Sequence, residues 1–381
     1  MNKRVLIVAG ETSGDLHGAS LVSELKELDP SLEFVGIGGD KMAEEGVELG
    51  CHVRELAVVG LVEVFSVLPR LYRAYRWLMN QLKTTPPSVI VLVDYAEFNL
   101  FFAGRAKKYG IPVVFYISPQ IWAWRQGRVR RIARNVSEMV VILPFEKDFY
   151  EAHGVKVSFV GHPLVDRMRN DEGFFNESRS SKHDRSFRLG WMPGSRDTEV
   201  KRLLPVMAKA ASLLERRSGR PLTHLVPLAP GISRKRVEEA FGEEGVTVNV
   251  FEGESTHIMR QCDLIVLASG TATLEAALLA IPSIIVYKIS FISYVLGRLL
   301  LRIPWIGLAN IVAGKEVYPE LIQYEATPER IMEKCLPLIE DPDRLEGMRK
   351  ELEQIRTKLG NPGASKRTAE VIYRYVESFP T

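Results

Sequence analysis

Two strand-to-helix turns in the second half of the sequence carry residues that suit an anion. In the first, Trp191–Val200 (WMPGSRDTEV), an apolar run ends in Gly194, Ser195 and Arg196, and a helical pattern follows at once. Such a turn points free backbone N–H groups and the positive end of a helix dipole at one place. Arg196 adds a fixed cation there. The alternative is an ordinary turn with a solvated arginine.

The second turn, Leu267–Ala277 (LASGTATLEAA), repeats this arrangement with Ser269, Gly270 and Thr271. Two such turns on one sheet are expected to hold a pyrophosphate together. Glu275 could accept hydrogen bonds from ribose hydroxyls, or it could simply place negative charge at a helix N-terminus. The sequence has no metal-ligand triad, and we expect a nucleoside diphosphate to depart without a divalent ion.

Two carboxylates follow a buried strand in Val93–Asn99 (VDYAEFN). Asp94 and Glu97 are three residues apart, a spacing that suits a general base and a second carboxylate that orients it and raises its pKa. The alternative is that Asp94 caps the next helix and Glu97 is solvated. The pattern favours catalysis without choosing between the two.

The loop after the first strand, Gly10–Gly18 (GETSGDLHG), combines small and hydroxyl residues. It departs from GxGxxG, so a dinucleotide is not expected, but Thr12, Ser13 and Gly14 could line a sugar or phosphate site. The alternative is a tight turn in which Thr12 or Ser13 caps the helix. His17 is a candidate catalytic residue or a packed one.

A third polar segment, Ser118–Asn135, contains two tryptophans and a run of arginines. RNA binding and a solvated helix face are both open alternatives. The net charge of the whole chain is only +3, which favours a phosphorylated small molecule or lipid over nucleic acid. The arginines concerned are Arg125, Arg128, Arg130, Arg131 and Arg134.

Two apolar segments with arginines are typical of membrane-surface contact. In Phe65–Lys83, apolar residues recur at helical spacing while arginines cluster on another side; Phe291–Gly307 is almost wholly apolar. A core-packed helix with a solvated arginine face is the alternative for each. The residues expected at the membrane are Arg70, Arg73, Arg76 and Trp77 in the first segment and Arg298 and Arg302 in the second.

The elements that must position these residues alternate between strand and helix along the chain. The strands are apolar on both faces, as buried parallel strands are, which predicts α/β architecture with doubly wound sheets. At 381 residues, two domains are expected. The predicted divisions are residues 1–168, a linker or surface excursion at 169–186, a second domain at 187–363 and a last helix at 364–381.

Composition excludes several classes of protein. The sequence is 46% hydrophobic and 25% charged, which is globular rather than disordered. Its three cysteines are widely separated, which favours a reducing compartment over disulfides or zinc. No uncharged apolar run reaches the roughly 18 residues of a spanning helix. We therefore expect a cytoplasmic protein, with the first apolar run being a strand rather than a signal peptide.

In their order along the chain, these motifs resemble those of the lipid-A-disaccharide synthases. The resemblance covers Lys3 to about Ala369. It implies a GT-B glycosyltransferase, with two Rossmann-like domains facing a cleft and a last helix returning to the N-terminal domain. The motifs that carry it are GETSGDLHG, GIGGDKM, VDYAEFN, SPQIWAW, LPFEKDFY, GHPLVD, PGSRDTEV, ASGTATLE and LANIVAGKEVYPELIQ.

The resemblance implies that UDP-2,3-diacylglucosamine is joined to 2,3-diacylglucosamine 1-phosphate with inversion, giving a β(1→6) disaccharide and UDP. It places Arg196 on the donor diphosphate, Glu275 on the ribose and Asn310 in the donor loop. Where the family usually has DxPDFN this chain has DYAEFN, so Ala96 replaces proline and Glu97 replaces the second aspartate. That departure leaves the base open between Glu97 and Asp94.

Other hypotheses about the function remain open at this point. One is another enzyme of similar build, such as a UDP-sugar 2-epimerase or a different lipid-linked glycosyltransferase. Another is a non-catalytic nucleotide-sugar binder at a membrane surface. The expected partners are acylated glucosamines and the inner face of the inner membrane, with no nucleic acid and no cofactor; a homodimer is left open.

Overall fold

A computed structural model describes residues 3–56, 64–169, 186–253, 255–300 and 303–379. The chain divides into two compact units: Met1–Asp171 with Leu359–Thr381, and Glu172–Lys358. The expected linker at 169–186 lies outside the described residues except at its two ends.

The first unit contains a parallel sheet of seven strands in the order β3-β2-β1-β4-β5-β6-β7. Its central strands are fully buried, because apolar side chains on both faces are covered by helices. The strand order reverses direction between β1 and β4, which is where ligands bind in such sheets. The strands are β1 (Arg4–Ala9), β2 (Glu33–Gly38), β3 (Glu48–His52), β4 (Val89–Val93), β5 (Val113–Tyr116), β6 (Glu138–Val141) and β7 (Val157–Phe159).

Helices connect these strands on the two faces of the sheet. The helix after β1 spans 17 residues and buries its Leu21, Val22 and Leu25 against the sheet. The helices are α1 (Thr12–Leu28), α2 (Asp40–Glu44), α3 (Val53–Leu56), α4 (Val64–Thr84), α5 (Ala96–Ala106), α6 (Val129–Asn135), α7 (Pro144–Glu151) and α8 (Pro163–Arg169).

The second unit repeats the plan with six parallel strands in the order β10-β9-β8-β11-β12-β13. Here the order reverses between β8 and β11. The strands are β8 (Phe187–Met192), β9 (Leu222–Leu228), β10 (Val248–Glu252), β11 (Leu264–Ala268), β12 (Ser283–Tyr287) and β13 (Glu320–Ile322). The helices are α9 (Asp197–Arg217), α10 (Arg234–Glu243), α11 (Ser255–Gln261), α12 (Ala272–Leu278), α13 (Phe291–Leu300), α14 (Leu308–Ala313), α15 (Pro328–Glu340) and α16 (Pro342–Lys358).

The last helix, α17 (Ala364–Ser378), packs against α1 in the first unit. It buries Ala369, Val371, Ile372 and Val376 in the core on that side of the sheet. The α/β class, the two parallel sheets and the return of the last helix are thus confirmed. The sequence did not reveal β3, β7 and β13, which are short edge strands with partly exposed side chains.

Candidate functional site

The second unit has a cavity of about 300 Å³ at the point where its strand order reverses. The turn after β8 and the turn after β11 both line it, because adjacent parallel strands bring their carboxyl ends to one edge. Of the eight residues predicted to bind a nucleotide, six line this cavity: Gly194, Ser195, Ser269, Gly270, Thr271 and Glu275. The two predicted turns therefore form one site.

Gly194 is needed where the chain leaves β8. Its φ of +111° lies in the region that favours glycine, and a Cβ there would come within 2.5 Å of Glu199 Oε2. This conformation turns the chain directly into the 21-residue helix α9, whose first N–H groups have no intrahelical partner. The start of α9 is thus open to an anion.

Arg196 occupies the N-cap position of α9 and is exposed. Its Nη1 lies 3.0 Å from Glu199 Oε1, one turn further along the helix. Glu199 lines the cavity whereas Arg196 does not. The guanidinium is therefore beside the cavity, held by the carboxylate at its wall.

Asn310, the eighth residue, is placed differently from the prediction. It is fully buried, and its Nδ2 donates to Tyr318 O and to Glu320 Oε1, each at 2.8 Å. Its Oδ1 accepts the N–H groups of Val317 and Tyr318 at 2.9 Å. These four bonds use the whole hydrogen-bonding capacity of an asparagine amide. Asn310 therefore holds the loop around β13 and has no polar atom left for a nucleotide.

In the first unit, Asp94 follows β4 in an unusual turn. Asp94 and Tyr95 both have positive φ values, 48° and 45°, which cost energy in residues other than glycine. The buried Asn99 stabilises this turn, since its Nδ2 lies 2.8 Å from Asp94 O and 3.3 Å from Val93 O. No side chain caps α5, so Asp94 is not the helix cap that the sequence left open.

The turn presents the Asp94 carboxyl in a half-buried position beside the loop after β1. Burial and, second, the nearby Glu11 carboxylate raise the pKa of Asp94 to about 6. A carboxylate with this pKa is available as a base near neutral pH and holds a proton more readily than an ordinary aspartate.

Glu97 differs from Asp94 in both exposure and contacts. Its side chain is 71% exposed, and its Oε1 lies 2.6 Å from Arg128 Nη2 and 3.3 Å from Arg125 Nη1. Its carboxylate is therefore already engaged by two guanidinium groups. Of the two carboxylates that the sequence left open, the arrangement favours Asp94 as a base.

The loop after β1 lies beside this turn. Thr12 and Ser13 are exposed in the first turn of α1, which has Glu11 at its N-cap and no capping side chain, contrary to the capping alternative. Gly14 is buried, and a Cβ there would lie 3.3 Å from Ala9 Cβ. The Tyr95 ring covers Gly10 so closely that any side chain there would overlap it.

Asp15 was missed by the sequence reasoning. It is buried, and its carboxylate accepts the N–H groups of Gly39, Lys41 and Met42 at 2.6–3.1 Å. These bonds fix the GIGGDKM loop after β2 against α1. Its acidic position in a first helical turn was the available signal, but such a residue is ordinarily solvated.

His17, in the first part of α1, packs against an aromatic ring. Its ring meets the Tyr116 ring edge-on, with centroids 6.3 Å apart. Burial and, second, the Arg167 guanidinium lower its pKa to about 4. Its described neighbours also include the buried His162. His17 is thus a neutral, packed ring at neutral pH.

The two apolar segments are partly as predicted. On α4, Arg70, Arg73 and Arg76 are exposed, and so are Leu68 and Tyr72. Trp77 is only partly exposed, because its ring packs over Gly50 and against the core.

On α13 of the second unit, Arg298 is exposed together with Phe291 and Val295. Arg302 lies outside the described residues. Within the described ranges, no helix has the length and apolar character to cross a bilayer. The same ranges contain no group of three histidine, cysteine, aspartate or glutamate side chains placed to hold a metal ion.

Solved structures with little sequence identity share the whole fold. MurG from Acinetobacter baumannii aligns with a TM-score of 0.61 at 15% identity, over 98% of this chain and 99% of that one. UDP-GlcNAc 2-epimerase from Neisseria meningitidis, bound to UDP-GlcNAc, aligns with a TM-score of 0.65 at 13% identity, over 97% of this chain and 100% of that one. At these identities the likeness establishes the two-domain GT-B fold alone.

Sequence similarity to known proteins identifies the family as well as the fold. A family model described as lipid-A-disaccharide synthetase matches residues 5–374. The lipid-A-disaccharide synthase of Geobacter metallireducens is 45% identical over 97% of both chains. That of Geobacter sulfurreducens is 43% identical over 97% of this chain and 96% of the relative. The chain belongs to the lipid-A-disaccharide synthase family of glycosyltransferases.

Proposed function

We propose that this enzyme transfers 2,3-diacylglucosamine from UDP to the 6-hydroxyl of 2,3-diacylglucosamine 1-phosphate, with inversion at the anomeric carbon. The hydroxyl oxygen forms a bond to that carbon as the bond to the UDP oxygen breaks. The hydroxyl proton passes to a base, and the products are a β(1→6) disaccharide 1-phosphate and UDP. The observation that carries this proposal is the half-buried Asp94 at the reversal point of the first sheet.

Asp94 is the proposed base in this reaction. An inverting displacement needs one carboxylate to take the proton of the attacking hydroxyl. Burial keeps the pKa of Asp94 at about 6, so the ionised form is present at neutral pH and still binds a proton well. In this proposal, Thr12 and Ser13 line the acceptor side of the site, and Asn99 positions Asp94 through its backbone.

The leaving UDP is proposed to occupy the cavity between the β8 and β11 turns. Its diphosphate lies at the start of α9, where N–H groups and the helix dipole stabilise the charge that develops as the bond breaks. The Arg196 guanidinium, which pairs with Glu199 at the cavity wall, lies beside the cavity and is proposed to contact the diphosphate. Glu275, at the cavity wall, accepts from the ribose hydroxyls. We propose that these groups stabilise UDP without a metal ion or cofactor.

The substrates carry acyl chains, so we propose that the enzyme works at the inner face of the inner membrane as a peripheral protein. Exposed Leu68 and Tyr72 next to the α4 arginines support this, as do exposed Phe291 and Val295 next to Arg298. Apolar side chains with neighbouring arginines are the combination that binds an anionic lipid surface.

The proposal is tested by incubating the enzyme with the UDP-linked sugar, with the acylated sugar phosphate and with both. We expect stoichiometric UDP and disaccharide, measured by mass spectrometry, only when both are present, and no loss of activity in EDTA. A change of the donor sugar without any acceptor would instead indicate a UDP-sugar 2-epimerase. No UDP under any condition would indicate a non-catalytic binder.

A further inference from the structure

Two arginines of the first unit converge on one carboxylate oxygen. Arg125 Nη1 and Arg128 Nη2 lie 3.3 Å and 2.6 Å from the same atom, Glu97 Oε1. The side chains remain accessible, with 50% of Arg125 and 71% of Glu97 exposed. An oxygen of an anion therefore occupies a position that two guanidinium groups share.

The fold brings these residues together from two neighbouring strands. Glu97 lies in the first turn of α5, after β4, and the arginines lie in the segment that follows β5. β4 and β5 pair in parallel, so both segments leave the same edge of the sheet, the edge where ligands bind. The proposed base, Asp94, leaves that edge in the same turn as Glu97.

The segment that carries the arginines is anchored in the core. Trp122 is buried, and its Nε1 donates to Glu146 Oε1 at 3.1 Å. The chain then passes through Arg125 at a φ of +57° into a 3-10 turn that ends at Arg128. The Arg125 guanidinium lies 4.4 Å from the centroid of the Trp124 ring, which restricts its movement. The Arg125 head is thus oriented before any ligand arrives, and Glu97 holds the Arg128 head beside it.

The charges at this place do not cancel. Two guanidinium groups share one carboxylate, which leaves one positive charge. Planar guanidinium groups bind phosphate oxygens through paired, charge-assisted hydrogen bonds. The arrangement suits a phosphate monoester better than a neutral sugar.

We propose that Arg125 and Arg128 bind the 1-phosphate of the acceptor sugar and so select the phosphorylated acceptor. This inference rests on the proposed function, because that function supplies an acceptor with a phosphate. The Cα atoms of Asp94 and Glu97 are at most about 10 Å apart, since three residues of extended chain span no more. Asp94 and the carboxylate that the two arginines hold are therefore close neighbours in one turn.

Glu97 then has a positioning role in place of a proton-transfer role. In the free enzyme its carboxylate keeps the two arginine heads together, and the phosphate takes over or joins these contacts on binding. Glu97→Gln should alter acceptor affinity more than the turnover number. That split separates Glu97 from a base, whose loss would lower the turnover number itself.

The test measures equilibrium binding of short-acyl 2,3-diacylglucosamine with and without its 1-phosphate. The proteins compared are the wild type, Arg125→Ala/Arg128→Ala and Arg131→Ala; Arg131 is another exposed arginine of the same segment. Charge-assisted hydrogen bonds correspond to about 10- to 100-fold in affinity. We expect the wild type and Arg131→Ala to prefer the phosphorylated sugar by this factor, and the double variant to lose the preference.

Two results would overturn the inference while leaving the proposed function intact. They are a double variant that keeps the wild-type preference, and a wild type that binds both sugars equally yet forms the disaccharide. If the wild type binds neither sugar and forms no disaccharide, the proposed function itself is rejected. Binding of the unphosphorylated sugar with equal affinity by all three proteins shows that the double variant is folded.

Discussion

Asp94 and Glu97 stand three residues apart in the sequence, and their surroundings differ. Asp94 is half-buried next to Glu11, while Glu97 is exposed and paired with Arg125 and Arg128. The sequence could propose the pair, because two carboxylates after a buried strand are a recognisable pattern. It could not choose between them, since the choice depends on burial and on arginines about 30 residues away.

At the residue scale, the raised pKa of Asp94 predicts the pH dependence of the reaction. A base must be ionised, so kcat/KM should fall about tenfold per pH unit below about pH 6 and level off above it. Asp94→Asn should lower kcat by about 10²- to 10⁴-fold at every pH, with UDP affinity unchanged. Rate measurements between pH 5 and 8 on both proteins check this, and a kcat near the wild-type value in Asp94→Asn would remove the residue as base.

At the scale of single elements, the turn between β8 and α9 was predictable from local sequence signals: an apolar run, a glycine and a helical pattern that follows it. The strands before the two turns, Phe187–Met192 and Leu264–Ala268, are central in the sheet and mostly apolar, which is why the sequence shows each as an apolar run. The sequence did not predict how Trp77 and Asn310 are placed, because their contacts are made with residues elsewhere in the fold. Trp77 is a residue type that often anchors proteins at a membrane, but here its ring packs on Gly50. Asn310 has an amide that could bind a nucleotide, but all its hydrogen-bonding groups are engaged in four internal bonds.

The conformation of Gly194 predicts how this element responds to a single methyl group. Gly194→Ala would place a Cβ against Glu199 at a φ of +111°, so the turn must shift and the cavity wall with it. Backbone strain of this kind costs about 1–3 kcal/mol. We expect UDP to bind about 5- to 100-fold more weakly, as measured by calorimetry.

The matched control for this change is Gly219→Ala. Gly219 is a loop glycine of the same unit, where a Cβ would meet nothing within 4 Å. It should keep wild-type UDP affinity. If Gly194→Ala also kept that affinity while remaining folded, UDP would not lie against this turn.

At the scale of the whole molecule, alternation of strand and helix was enough to predict two doubly wound sheets. The fold follows because parallel strands buried on both faces need helices on both sides. The short edge strands β3, β7 and β13 were not predicted, because their side chains are partly exposed and show no clear alternation of apolar and polar residues. The order of the motifs along the chain was enough to predict the family, and the family model matches residues 5–374.

A peripheral enzyme should bind lipid vesicles through its exposed apolar residues. Leu68→Ser with Tyr72→Ser removes two side chains that are 50% and 60% exposed on α4. Burial of such side chains in lipid contributes about 1.5–3 kcal/mol each, so we expect binding to anionic vesicles to weaken at least about tenfold. Vesicle sedimentation measures this. Leu28→Ser, at another exposed leucine, should have no effect, and equal losses in both would argue against a specific membrane face.

The proposed reaction is a single displacement with one base, and the configuration of the product tests it most directly. The disaccharide formed from the α-linked UDP donor and the acylated sugar 1-phosphate is isolated, and its new linkage is assigned by nuclear magnetic resonance. A single displacement at this donor predicts a β(1→6) linkage and one UDP per disaccharide. An α linkage would mean retention of configuration, which a single inverting displacement cannot give, and it would contradict the role given to Asp94.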